Sequence, residues 1–208
     1  MTIGMEDIYR KIPPEKIPWN IETPPDLLVR LVGNKQVVPC RTIEFGCGAG
    51  NYAVWLAKQG FDVTGIDIAP SAIGLARKNA LTQGVRCTFI VADVLGDLPE
   101  VKGPFDFAFD WELLHHIYPD DRPGYVANVA RLLRPGGRYL SVCFHEDDPQ
   151  FGGAGKYRTT QIGTVLYFSS EEELRELFSP YFTILELRAV TIRGKWGDHV
   201  ANYAFMEK

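Results

Sequence analysis

Cysteine is scarce in this chain. Cys40, Cys47, Cys87 and Cys143 are widely spaced, with no C-x-x-C pair among them. Three fall in or beside β-rich runs, where cysteine behaves as a small apolar residue, so reduced thiols and a cytoplasmic setting are expected. No apolar run approaches the ~20 residues needed to span a bilayer, and no membrane partner is expected. The N-terminus carries Glu6 and Asp7 and lacks the apolar core of a secretory signal. A net charge of −4 gives no basic footprint, so no nucleic-acid partner is expected either. Internal repeats and low-complexity tracts are absent. What remains is ordinary for a globular chain, 46% hydrophobic and 23% charged over 208 residues. One domain over residues 1–208 is expected, long enough to bury a full core.

Glycine is placed more pointedly. Thr42-Ile43-Glu44-Phe45 leads into Gly46-Cys47-Gly48-Ala49-Gly50-Asn51, then an apolar helix-like segment over residues 52–58 closed by Gly60. A second apolar run over residues 63–66 ends at Asp67, 21 residues after Gly46. Strand, glycine turn, helix, strand and acid in that order are how an open parallel sheet holds an adenosine-containing cofactor. A dinucleotide site has G-x-G-x-x-G, but its third glycine position is Asn51 here and the glycine comes one residue early. Glu44, two residues before the first glycine, would repel a pyrophosphate and suits a ligand carrying an ammonium group.

The remaining elements alternate. Leu27, Leu28, Leu31 and Val32 mark a helix over residues 26–32 before the first strand, 42–45, and its helix, 52–59. Strand 62–66 precedes a helix opened by Pro70-Ser71. Strands follow at 86–91 and 105–109, then a helix bearing Val126, Val129, Ala130 and Leu133, stopped by Pro135-Gly136-Gly137. A fifth strand spans 139–144. Ser170 and Glu173 form a capping box ahead of Leu174, Leu177 and Phe178. Two last β-rich runs, 182–192 and 200–206, have no helix between them and read as antiparallel partners.

From residue 43 to the C-terminus the chain resembles the class I S-adenosylmethionine-dependent methyltransferases. Glu44-x-Gly46-x-Gly48-x-Gly50 resembles their first motif and Ala92-Asp93-Val94 the adenine-binding end of strand three. Phe105 to Asp110 resembles their fourth motif, and Leu133-Arg134-Pro135-Gly136-Gly137 the turn before strand five. The resemblance implies an α/β fold with a Rossmann-like, doubly wound seven-stranded sheet, order 3-2-1-4-5-7-6, the last strand antiparallel. It implies S-adenosylmethionine as cofactor and methyl transfer by direct in-line displacement. More narrowly, Pro18-Trp19 and the modest length resemble the thiopurine-methyltransferase-like and tellurite-resistance-like branch, which implies a small thiol or other chalcogen acceptor.

By this resemblance Gly46, Cys47, Gly48 and Gly50 form the loop under the cofactor's methionine and ribose, and Glu44 orients it or receives the ammonium. Asp67 holds the ribose hydroxyls, Ile68 packs on the adenine, and Asp93 and Val94 read its edge. Asp110 offers a carbonyl to the ammonium and Trp111 covers the cofactor. His115 and His116, after strand four, are candidates for removing an acceptor proton, although both also read as pocket wall. Residues 1–25 and 146–168 are expected to form a lid, the first kept extended by prolines, with Tyr9, Trp19, Phe151 and Arg158 towards the acceptor. His145-Glu146-Asp147-Asp148 groups carboxylates that a hard cation favours, yet the Asp-Asn pair of magnesium-using relatives is missing. A solvated acidic loop and no metal are expected. The partner is a small-molecule acceptor and the chain a monomer or homodimer. A non-catalytic S-adenosylmethionine sensor stays open as the alternative. A nicotinamide oxidoreductase is disfavoured by Glu44, Asn51 and the terminal hairpin.

Overall fold

The apolar runs separated by glycine and proline turns form alternating strands and helices. The computed structural model describes residues 4–152 and 155–208. Residues 1–3 of the expected lid and the Gly153-Ala154 pair of its second part lie outside the described residues. The elements are α1 (Met5–Lys11), α2 (Asp26–Gly33), β1 (Arg41–Phe45), α3 (Asn51–Lys58), β2 (Asp62–Asp67), α4 (Pro70–Thr82) and β3 (Thr88–Val91). They continue as β4 (Phe105–Trp111), α5 (Arg122–Leu132), β5 (Leu133–Phe144), β6 (Tyr157–Thr159), β7 (Val165–Tyr167), α6 (Glu171–Phe178), β8 (Thr183–Arg193) and β9 (Asp198–Glu207). Short 3-10 turns cover Pro14–Lys16 and Leu114–His116.

The seven-stranded sheet runs β3-β2-β1-β4-β5-β9-β8. β9 pairs antiparallel with both β5 and β8, so it alone opposes the rest. This is the expected topology, with the small β6–β7 hairpin inserted before the last two strands. β1 is parallel to neighbours on both sides. Helices cover both its faces, so Thr42 to Phe45 are all buried, the polar Thr42 and Glu44 included. One face packs Leu28, Leu31, Val54, Leu56, Phe107 and Phe109, and the other Ile43, Phe45, Tyr125, Val129 and Phe178. The Ser170 hydroxyl accepts from the Glu173 amide at 3.2 Å, and the Glu173 carboxylate accepts from the Ser170 amide at 2.9 Å. The S-x-x-E spacing thus forms its reciprocal cap.

Three local expectations change. The N-terminal segment is not extended throughout, because the prolines start only at Pro13. Before them, Glu6 and Asp7 occupy the first turn of α1 and Arg10 and Lys11 its last, which suits the helix dipole. Leu133, assigned to the fifth helix by its apolar spacing, instead opens β5, which runs through Pro135-Gly136-Gly137 beside a register shift at Phe105/Phe107. The connection over 146–168 holds a real β-hairpin, in which Arg158 pairs with Leu166.

α1 and the segment after it dock at the start of α4, where Ile8, Ile17, Ala69 and Ala72 share one buried cluster. There the Glu6 carboxylate accepts from both the Ser71 amide (2.9 Å) and hydroxyl (2.6 Å), satisfying the open end of α4. The β8–β9 turn reaches the same region. Lys195 Nζ donates to the carbonyls of Ile17 and Asn20, each at 3.1 Å. The N-terminal segment and the β8–β9 turn therefore meet over the carboxyl edge of the sheet.

Gly50 enters α3 at φ +71°, and a Cβ there would lie 2.8 Å from Ala76 Cβ and 2.9 Å from the Phe89 ring. Gly50→Ala is therefore expected to cost about 1–3 kcal/mol through strain and overpacking. Thermal unfolding reads this as a Tm lowered by several degrees. An unchanged Tm would mean that the turn tolerates a side chain.

Candidate functional site

The carboxyl ends of β1, β2 and β4 lie together at the glycine turn, and Asp67 ties the first two to each other. Its Oδ2 accepts from the Gly48 amide and its Oδ1 from the Ala69 amide, both at 2.9 Å. Burial pushes this carboxyl up from its ordinary range, while the two amide bonds pull it down. Glu44 lies beneath the turn, 3% exposed, and burial lifts its carboxyl well above the usual value. Its Oε2 has no hydrogen-bond partner among the described residues. An orphaned buried oxygen is costly, and this residue stands on a cavity wall where a ligand's ammonium group could satisfy it.

That cavity measures about 430 Å³. Gly46, Cys47, Gly48, Ile68, Val94 and Trp111 form part of its wall. A Cβ on Gly48 would come within 2.6 Å of the Tyr9 hydroxyl, so the turn passes its neighbours only as glycine. Five carboxylates reach the lining (Glu44, Asp67, Asp93, Glu112 and Asp121), with no lysine or arginine among the described residues. Such a field favours a cation and disfavours a pyrophosphate.

Two expected cofactor residues stand elsewhere. Gly50 caps α3 against Ala76 and Phe89 and is off the wall. Asp110 is off the wall as well. Its buried carboxylate accepts from the hydroxyls of Tyr139 (2.5 Å), Tyr125 (3.0 Å) and Ser141 (3.1 Å) on the opposite side of β4. Burial raises it to about 6 despite those bonds.

A second cavity of about 180 Å³ adjoins the first and shares Trp19, Ile21, Glu112 and His116 with it. Its wall is aromatic. Phe144 stacks on His115 at 4.2 Å and on His199 at 4.5 Å, with Phe151 and Trp196 beside them. His115 Nδ1 accepts from the Phe144 amide at 3.4 Å, and burial drives this imidazole well below its ordinary value. Burial also takes His116 down to about 4. Both rings are therefore neutral at physiological pH.

Of the other expected acceptor residues, Trp19 and Phe151 line this second cavity. Tyr9 lines the first instead, its hydroxyl accepting from Trp19 Nε1 at 2.9 Å. Arg158 reaches neither. It is 4% exposed, lies over the Phe168 ring, and donates to the carbonyls of Glu146, Asp148, Gln150 and Gly155. It is a strut inside its own loop. The acidic stretch is not a solvated loop throughout. Asp147 is exposed, but the Asp148 carboxylate is fully buried, accepting from the amides of Gln150 and Val200 at 2.7 Å and facing His199 Nδ1 at 3.1 Å. Sequence reasoning missed Glu112, His199 and Lys195. Glu112 lies between Trp111 and His115, both singled out from the sequence, whereas His199 and Lys195 belong to a terminal hairpin that carries no motif.

Residues 43–137 match the family described as "Methyltransferase domain". The chain is 30% identical over 195 residues to 2-heptyl-1-hydroxyquinolin-4(1H)-one methyltransferase of Mycobacteroides abscessus, covering 88% of this chain and 80% of that protein. Among solved structures it superposes with a TM-score of 0.82 and 27% identity on one described under the conversion of a disulfide bond into a thioacetal group during echinomycin biosynthesis. That match covers 100% of this chain and 93% of the other. It also superposes on the 1,6-didemethyltoxoflavin-N1-methyltransferase of Burkholderia thailandensis with bound S-adenosylhomocysteine. There the TM-score is 0.68 and the identity 22%, over 97% of this chain and 81% of that one.

Asp67→Ala removes a charged acceptor from the cavity wall while the sheet around it stays intact. Hydrogen bonds to a charged group contribute about 1.5–3 kcal/mol each, so affinity for S-adenosylmethionine is expected to fall at least tenfold. Calorimetric titration of the folded variant measures it, and unchanged affinity would take Asp67 out of the binding site.

Proposed function

The chain belongs to the class I S-adenosylmethionine-dependent methyltransferases, and on that premise we propose that its acceptor is a thiol or other chalcogen nucleophile on a small flat framework. The observation that carries this reading is the second cavity. Its stacked Phe144, His115 and His199 offer π-faces to a planar ring. Its one cationic lining residue among those described, Lys195, is spent on two backbone carbonyls. An uncharged aromatic acceptor is accommodated there far better than a phosphorylated one. Two relatives support the class. One acts on a hydroxyquinolone and the other is described under sulfur chemistry at a disulfide.

Bound S-adenosylmethionine supplies a methyl group already activated on a sulfonium. The protein's share is then orientation and exclusion of water. Glu44 and the Gly46-Cys47-Gly48 turn would hold the methionine end, the orphaned Glu44 oxygen being free to accept from its ammonium. The lone pairs of Asp67 left over from its two amide bonds would accept from the ribose hydroxyls. Ile68, Asp93 and Val94 would hold the adenine. Trp111, edge-on to Tyr52 with centroids 6.2 Å apart, offers a π-face that would suit the sulfonium. Trp19 and His116, 5.7 Å apart, frame the passage between the cavities.

The N-terminal strap and the 146–168 connection roof the acceptor. Asn51, standing where a dinucleotide motif has glycine, donates to Asn20 Oδ1 (2.9 Å) and to the Ile21 carbonyl (3.1 Å). The glycine turn and the roof are therefore joined directly, and filling one cavity steadies the other.

A screen of aryl thiols, phenols and aryl amines, read by release of S-adenosylhomocysteine, tests the acceptor class. Aryl thiols are expected to turn over fastest, and exclusive use of amines would sink the chalcogen reading. A buried neutral imidazole is a weak base, and burial holds His115 well below its ordinary value and His116 at about 4. His115→Ala and His116→Ala are therefore each expected to lose far less than the roughly 10²–10⁴ that removal of a general base costs. Loss on that scale in kcat, with cofactor affinity intact, would reinstate a histidine base. Amide hydrogen exchange is expected to slow in both roof segments on adding S-adenosylhomocysteine, and further with an acceptor analogue. Indifference of both segments would refute the lid.

A further inference from the structure

Glu112 follows the last residue of β4 in the left-handed region, at φ +63°. Side chains other than glycine rarely adopt that conformation, and where they do the backbone is commonly held for a functional reason. Its amide donates to the Val142 carbonyl at 2.8 Å, which fixes the turn to the sheet. The side chain emerges on the wall common to both cavities, where Trp19, Ile21 and His116 are its companions. Its carboxylate makes no hydrogen bond to protein among the described residues, so its lone pairs stay open to whatever occupies the passage.

We propose that Glu112 is the general base of the methyl transfer and removes the acceptor's proton at the junction of the two cavities. This rests on the methyltransferase reading and deepens it, because it makes a weakly acidic hydroxyl or thiol on a flat ring a competent acceptor. In the step, a carboxylate oxygen of Glu112 forms the new O–H bond as the acceptor's X–H bond breaks and leaves its electron pair on X. That pair forms the X–CH3 bond while the S–CH3 electron pair returns to sulfur. The products are methylated acceptor, neutral S-adenosylhomocysteine and a protonated Glu112, which yields its proton to solvent when the site opens.

The surroundings suit the task. Burial lifts the Glu112 carboxyl to about 7, and the nearby His199 draws it back down. A base poised near the working pH is the favourable case. The groups around it are Tyr52 from α3, His115 and His116 from the 3-10 turn, His199 from β9 with Asp148 behind it, and Lys195 from the β8–β9 turn. His116, the other ionisable side chain at the junction, is too weakly basic to compete.

The test compares wild type and Glu112→Gln on 2-naphthol and 2-naphthalenethiol, two acceptors of one shape, the thiol much the more acidic. Wild-type kcat/KM for 2-naphthol is expected to rise with pH through about 7. The variant is expected to lose roughly 10²–10⁴ with 2-naphthol and less than tenfold with the ionised thiol. A readout independent of turnover is infrared difference titration of protein labelled with 13C-glutamate. A carboxyl titrating near neutrality should be present in wild type and missing from the variant. Calorimetry with S-adenosylmethionine verifies that the variant is folded. If it is not, Glu112→Asp replaces it and must retain the pH limb. Three results overturn the proposal. They are 2-naphthol turnover within threefold of wild type in the variant, wild-type turnover of the thiol alone, and no near-neutral carboxyl assignable to residue 112. A wild type that binds S-adenosylmethionine but methylates neither compound nor any other chalcogen acceptor sinks the functional reading instead.

Discussion

A single carboxylate holding two backbone amides is the joint on which this site depends. Asp67 ends β2, grips Gly48 of the turn after β1 and Ala69 at the mouth of α4, and so fixes two loops from different βαβ units against each other. The remaining wall is referred to that joint. Glu44 sits below the turn it steadies, Tyr9 lies against Gly48, and α1 rests on the helix that Ala69 introduces. A neutral side chain could fill the same volume but could not accept from both amides and still present negative charge to a ligand.

Such a joint is legible in sequence because its parts are local. A β-branched run, spaced glycines and an acid after the next apolar run each occupy a few residues, and backbone geometry leaves few ways to arrange them. The antiparallel pairing of the last two β-rich runs was legible in the same way, since no helix lies between them, whereas the full strand order followed from the family resemblance. Other features depended on tertiary packing. Arg158 looked like a cation offered to the acceptor until the hairpin folded its guanidinium onto four carbonyls. Asp148 sat in an acidic stretch that composition alone makes solvent-facing, yet the β9 amide of Val200 and the His199 ring draw it inside. The left-handed turn at Glu112 had no glycine or asparagine to announce it. Strain of that kind is invisible to propensity.

The two cavities divide the chemistry by composition. The first is acidic and glycine-lined, the second aromatic and nearly without charge. Neither histidine of the His115-His116 doublet carries charge at neutral pH, since burial disfavours both protonated rings and the neighbouring cations add to it at His115. They read more naturally as flat, polarisable surface than as proton carriers. The charge that matters at the junction is then the one that Glu112 carries or gives up.

Lys195 donates to Ile17 across 178 residues of chain. Loop-closure entropy rises with span, so this contact is disfavoured from an open chain and favoured once β9 has paired with β5 and β8. The roof of the acceptor chamber therefore belongs to the last stage of folding, after the parallel strands have paired and the terminal hairpin has docked. On a ribosome, the wall of the first cavity is complete in sequence at Val165, whereas that of the second waits for His199. A nascent chain would acquire its methyl donor's berth first and its selectivity only once the final hairpin emerges.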